Sequence, residues 1–73
     1  MDASTETLTL TVNGEPLQFP VRLTVAALVS SLSLDIRKVA VELNREIVPR
    51  STYAQVQLNS GDSLEIVHFI GGG

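Results

Sequence analysis

The regular pattern of the chain begins at Thr7. Thr7-Leu8-Thr9-Leu10-Thr11-Val12 alternates with period two, which predicts a strand with Leu8, Leu10 and Val12 on the buried face and threonines on the other. Asn13-Gly14 follows, a strong short hairpin signal because both residues accept a positive φ. Leu17 and Phe19 then alternate with Gln18 as a return strand, and Pro20 ends it, since proline cannot donate to a ladder.

The period changes at Thr24. Val25, Leu28, Val29 and Leu32 stand at i, i+3, i+4 and i+7, one face of a helix. Thr24 suits the N-cap, where its hydroxyl accepts an otherwise unpaired N–H. Leu23 and Leu28 are placed to form a hydrophobic staple around it. Ser30, Ser31 and Ser33 are weak helix formers, so the helix should be short and end before Asp35.

Alternation returns over residues 39–43, with Val39, Val41 and Leu43 inward. Asn44-Arg45 reads as a turn into a short strand at Ile47 and Val48, closed by Pro49. Residues 51–56 have no clean period, and a turn or single helical turn is expected around Tyr53 and Ala54. Ser60-Gly61-Asp62 is a turn, and residues 64–70 form the last strand. The order β-β-α-β-(β)-β predicts an α+β domain: a mixed four- to five-stranded sheet with one main helix on Leu8, Leu10, Leu64 and Ile66. Residues 1–6 are expected to be a flexible N-terminal segment, 7–70 the domain and 71–73 a flexible tail.

Composition narrows the chemistry. A chain of 73 residues holds one small domain, too little for most enzymes with a self-contained cleft. With 44% hydrophobic and 18% charged residues it should fold. It has no cysteine, which excludes disulfides, a thiolate nucleophile and Cys-based zinc sites. The one histidine, His68, cannot build a His-rich metal site. Parity puts His68 on the side of Leu64 and Ile66, where the core runs out, so it reads as structural rather than as a general base. Glu42 and Glu46 read as solvated carboxylates rather than as an acid/base pair. The net charge of −3, with Arg22, Arg37, Lys38, Arg45 and Arg50 scattered, disfavours nucleic acid and suits a basic protein partner. No signal peptide or bilayer-spanning run is seen, so a cytoplasmic location is the default and no membrane role is expected.

The unusual feature is Gly71-Gly72-Gly73. Terminal glycines alone leave two readings open, a frayed tail and a carboxylate carried on a narrow arm. Three such residues add no stability, but without Cβ atoms they can enter a slot that larger residues would block. Extended, they reach about 10 Å. The α-carboxylate is anionic at neutral pH and can attack the α-phosphate of ATP to give an acyl-adenylate, from which a sulfur nucleophile can form a thiocarboxylate. Another protein must hold the ATP, because this chain has no phosphate-cradling loop, and no bound cofactor is expected. By parity Val67 and Phe69 point away from Leu64 and Ile66, either as a docking patch beside the tail or under partial cover from a neighbouring loop.

Several segments carry a family likeness: Val12-Asn13-Gly14-Glu15, Leu23-Thr24-Val25, Val39-Ala40-Val41-Glu42-Leu43-Asn44, Ile47-Val48-Pro49-Arg50-Ser51, Gly61-Asp62, and the run from Leu64 through Ile66, Phe69 and Ile70 to Gly73. In order and spacing they resemble the ThiS family, small ubiquitin-like sulfur carriers of thiamine biosynthesis with the β-grasp fold. The resemblance covers nearly the whole chain after residue 6. It implies that a ThiF-like ATP-dependent activating enzyme adenylates the Gly73 carboxylate, and that a sulfur donor such as a cysteine desulfurase persulfide makes the thiocarboxylate. A ThiG-like thiazole synthase then accepts the sulfur. Gly72 and Gly73 match the functional glycines and Gly71 extends the arm. The chain is thus expected to be a carrier and co-substrate, not an enzyme. Arg45 departs from the pattern, which leads one to expect glycine after Asn44; positive φ is harder for arginine, so a locally different turn is expected.

Two competitors stand beside this reading. A MoaD-like carrier for molybdopterin synthesis would share the tail chemistry, but such chains usually carry prolines shortly before the glycines, where this one has His68-Phe69-Ile70. A non-covalent β-grasp binding module would be favoured by chain continuing past the glycines, whereas this sequence ends at Gly73.

Overall fold

A computed structural model describes residues 6–69. Its elements run β1 (Thr7–Val12), β2 (Glu15–Pro20), α1 (Val25–Ser31), β3 (Val39–Leu43), β4 (Glu46–Ile47) and β5 (Ser63–His68), with 3-10 turns at Ile36–Lys38 and Arg50–Thr52. The five strands form one sheet in the order β2-β1-β5-β3-β4. β5 lies between the two hairpins, parallel to β1 and antiparallel to β3. With α1 across one face, this is the ubiquitin-like β-grasp architecture.

The threonine alternation of β1 buries Leu8, Leu10 and Val12, and Leu64 and Ile66 of β5 and Val39 and Val41 of β3 join them beneath the helix. Val25, Leu28 and Val29 of α1 close the core from above. Leu32, the fourth position of the helical stripe, is the C-cap and only partly buried. At about 25 cal/mol per Å² of apolar surface, packing of these aliphatic side chains is the main favourable term of the fold.

α1 has only seven residues, too few to be stable without tertiary support. Its first N–H groups are each satisfied. The Thr24 hydroxyl accepts from Ala27 at 3.1 Å, the N–H of Val25 donates to the Val56 carbonyl at 3.0 Å, and that of Ala26 donates to the Tyr53 carbonyl at 3.0 Å. Thr24 is therefore the N-cap as its sequence position implies, and the helix stops at Ser31, before Asp35. The segment after β4 does more than connect. Val48, Tyr53 and Leu58 are all buried, so this segment supplies a corner of the core.

Two strand limits differ from the periodicity. The fourth strand is Glu46–Ile47 rather than residues 47 and 48, although Val48 is buried and its N–H still donates to the Val41 carbonyl at 2.9 Å. β5 ends at His68 rather than reaching residue 70, although Phe69 still donates its N–H to the Lys38 carbonyl at 2.8 Å. The Asn44-Arg45 turn, expected to differ locally, does not. Asn44 and Arg45 have φ of 50° and 74°, both positive as in Asn13 and Gly14 at 52° and 86°. The hairpin twist demands this geometry, and Arg45 adopts it without glycine's freedom.

Candidate functional site: the open sheet face and the strand leading to the tail

β5 carries the chain toward the glycines, and two asparagines hold it from opposite sides. Asn13, at the tip of the β1–β2 hairpin, accepts at Oδ1 from the Ile66 N–H at 2.7 Å and donates from Nδ2 to the Ile66 carbonyl at 3.2 Å. Its carboxamide thus pairs with β5 as a neighbouring strand's peptide group would, just past the end of the β1–β5 ladder at Val12 and Leu64. Asn44, in the second hairpin turn, accepts from the Ser63 N–H at 3.0 Å and donates to Asp62 Oδ1 at 3.1 Å. Asp62 in turn accepts from the Asn59 N–H at 2.8 Å. Both asparagines sit at positive φ, where short polar side chains are best tolerated. The start and the middle of β5 are therefore fixed by side-chain amides as well as by the sheet.

No element covers the second face of the sheet among the described residues. The register puts Glu42 directly opposite Glu65 and Ala40 opposite Val67, with Ile47 on the far side of Glu42. Large apolar side chains are exposed here: Ile47 is 77%, Val67 58% and Phe69 50% accessible. Val67 and Phe69 thus face solvent as parity implies, and no loop among the described residues buries them. Glu42 and Glu65 are also exposed. Glu42 and Glu46 are not brought together, since Glu42 pairs with Ile47 and Leu43 with Glu46, which places the two carboxylates on opposite faces. His68 is exposed at the end of β5, opposite Val39. It stands on the parity side of Leu64 and Ile66 and is exposed at the strand end, where the core was expected to run out.

One charged pair stands apart from this face. Arg37 bonds Asp35 through its guanidinium at 3.0 Å and through its backbone N–H at 2.9 Å. The guanidinium first, and then the backbone N–H, hold the Asp35 carboxyl at about 2. The same contact pushes the Arg37 side chain above its ordinary value. This is a cap of the 3-10 turn at the solvent surface, not a catalytic arrangement. Gly71, Gly72 and Gly73, together with Ile70 and residues 1–5 of the expected flexible N-terminal segment, lie outside the described residues.

Sequence reasoning missed the two amide clamps. Their signal was present in the matching Asn13-Gly14 and Asn44-Arg45 turns, but it only becomes a pair of clamps once β5 is known to lie between the hairpins.

Known proteins bear on this site. The chain is 61% identical over 64 residues to a thiazole synthase of Paramagnetospirillum magneticum, a match that covers 88% of this chain and 20% of that protein. It is 44% identical over 50 residues to the sulfur carrier protein ThiS of Bacillus subtilis, covering 68% of this chain and 76% of that one. A thiazole synthase of Magnetococcus marinus is 45% identical over 62 residues, 85% of this chain and 19% of the other. The chain therefore spans about one fifth of the length of the two thiazole synthases it matches. Among solved structures, the crystal structure of the thiamine biosynthesis protein ThiS from Geobacter metallireducens superposes with a TM-score of 0.77 at 36% identity, covering 90% of this chain and all of that one. The ThiS family's sequence profile matches residues 7–73, from the first strand through the glycines. With fold, relatives and profile in agreement, this chain belongs to the ThiS family.

Proposed function

We propose that the protein is a sulfur carrier of thiamine biosynthesis and that Gly73 is its working residue, through the terminal carboxyl carbon. The observation that carries this reading is the family match, which extends through the glycines to residue 73. The fold supports it, because β5 ends one residue after Val67 and leaves a short segment between the rigid sheet and Gly73.

The chemistry runs in two transfers. A carboxylate oxygen of Gly73 attacks the α-phosphate of ATP held by a ThiF-like activating enzyme, pyrophosphate leaves, and an acyl-adenylate results. The terminal sulfur of a persulfide, supplied by a donor such as a cysteine desulfurase, then displaces AMP. A thiol cleaves the resulting disulfide to free the thiocarboxylate. A ThiG-like thiazole synthase accepts the sulfur as it forms the thiazole. The carrier contributes the carboxylate, an arm slim enough to enter each partner's site, and a docking surface that includes Val67 and Phe69. The reaction belongs to the cytoplasm, where ATP and reduced thiols are available.

The arm sets the test. Deleting Gly73 shortens the reach by about 3.3–3.6 Å, enough to lose near-attack geometry. A bulky residue appended after Gly73 turns the carboxylate into a peptide carbonyl. Both variants should fold, as circular dichroism would show, while intact mass after incubation with activating enzyme, ATP and sulfur donor should show weak conversion for the first and none for the second. Conversion of the appended variant at the Gly73 carbonyl without prior cleavage would refute the mechanism.

A further inference from the structure

The open face carries a feature that the tail chemistry does not use. Glu42 and Glu65 are direct cross-strand neighbours, a position where Cβ atoms lie about 4.5–5.5 Å apart and like charges destabilise the sheet. Among the described residues the only ion pair is Arg37 with Asp35, so neither glutamate is ion-paired with any of them. The pair is framed by exposed apolar side chains: Ile47 beyond Glu42 on one flank, Val67 and Ala40 in the next row, and Phe69 beyond them. Two opposed anions in an apolar frame match a guanidinium or ammonium group seated between them, with apolar contacts excluding water around it.

We infer that this face docks on the thiazole synthase, and that an arginine or lysine of the synthase sits between Glu42 and Glu65. The inference rests on the carrier reading and names the partner and the chemistry of its contact. Two observations select the synthase. Relatives 61% and 45% identical to this chain have the matching segment as about a fifth of proteins named thiazole synthase. Within one polypeptide such a segment meets the rest of the protein at high effective concentration. The other sheet face is closed by α1, and the exposed large apolar residues lie on the open face or, for Ile36, in the adjoining 3-10 turn. Before docking the carrier bears the repulsion of its two glutamates, and the partner's cation relieves it.

The test is the affinity of the full chain for purified thiazole synthase from the same organism, measured calorimetrically at low and high salt. Replacing both carboxylates, Glu42→Gln with Glu65→Gln, should weaken binding about tenfold or more and flatten its salt dependence. The thermal midpoint should hold or rise, because the like-charge contact is gone. Ile47→Ala removes an exposed side chain and should also weaken binding without loss of stability. Glu15→Gln, in the hairpin away from this face, should leave binding unchanged. Native affinity in the double-glutamine variant, no binding by the native chain, or equal weakening by Glu15→Gln would each overturn the inference. So would a double variant that binds synthase normally but loses the activating enzyme. Thiocarboxylate formation, followed separately by intact mass, keeps the two questions apart: its absence from the native chain counts against the carrier reading, whereas altered synthase affinity speaks only to the docking face.

Discussion

The two faces of the sheet are built from the same strands and differ in almost every physical respect. Under α1, Leu10, Leu64, Val39 and Val41 are sealed to 1% exposure or less. On the other side, one residue along each strand, Ile47 and Val67 are exposed and Glu42 faces Glu65. Alternation in a strand lets one backbone serve both sides, and the covered side is optimised for burial alone. The open side breaks two rules of a comfortable surface at once, with large apolar groups in water and like charges in register. A fold can tolerate such features where binding uses them, and here they lie on and beside the strand that leads to the glycines.

This contrast can be broken most strongly from the covered side. Leu28→Ala removes a fully buried side chain from the helix and should cost about 2–5 kcal/mol in denaturant unfolding. A change within about 0.5 kcal/mol would mean that α1 is not holding the sheet, since that is the scale of a surface substitution.

Asn13→Ala should cost less, about 1–3 kcal/mol, because it leaves the Ile66 N–H and carbonyl without their partner. Hydrogen exchange should locate the loosening in β5 rather than in β2. Equal loss across both hairpins would show that the amide stabilises only its own turn.

Phe69→Ala sharpens the comparison from the open side. With half its surface already in solvent, the residue should cost under about 1 kcal/mol in stability. Binding to the activating enzyme should nevertheless weaken. A large drop in thermal midpoint would instead place Phe69 with the core.

The smallest expected effect is a pH dependence remote from both faces. The Asp35 carboxyl sits at about 2 when folded, below its ordinary value near 3.9 when unfolded. The native state therefore binds the proton less readily, so this contribution to stability is present above about pH 4 and disappears as the pH falls through about 2. Asp35→Asn should flatten the stability profile in that window alone. Because the pair lies at the surface, with Arg37 largely in solvent and Asp35 only partly covered, its effect should be slight and shrink further in salt.

Much of this arrangement was legible in the chain. Period two at Leu8, Leu10 and Val12, the shift to helical spacing at Thr24 and the return at Val39 are direct records of which side each residue packs on. The outward placement of Val67 and Phe69 followed from the same parity. Tyr53 and Leu58 were not legible as core, because they are buried by irregular backbone whose carbonyls satisfy the helix N-terminus, and such a contact has no period. His68 illustrates the converse, a correct parity without a core left to enter. The opposition of Glu42 and Glu65 needed the strand register, which alternation alone does not specify.

The central claim concerns Gly73, and the most direct measurement is to locate the sulfur. The native chain would be incubated with activating enzyme, ATP and a persulfide donor, and its intact and fragment masses recorded. Exchange of one oxygen for sulfur, confined to fragments containing Gly73 and dependent on ATP, is the predicted result. An unchanged mass with an active enzyme and donor, or sulfur carried on any other residue, would contradict the account.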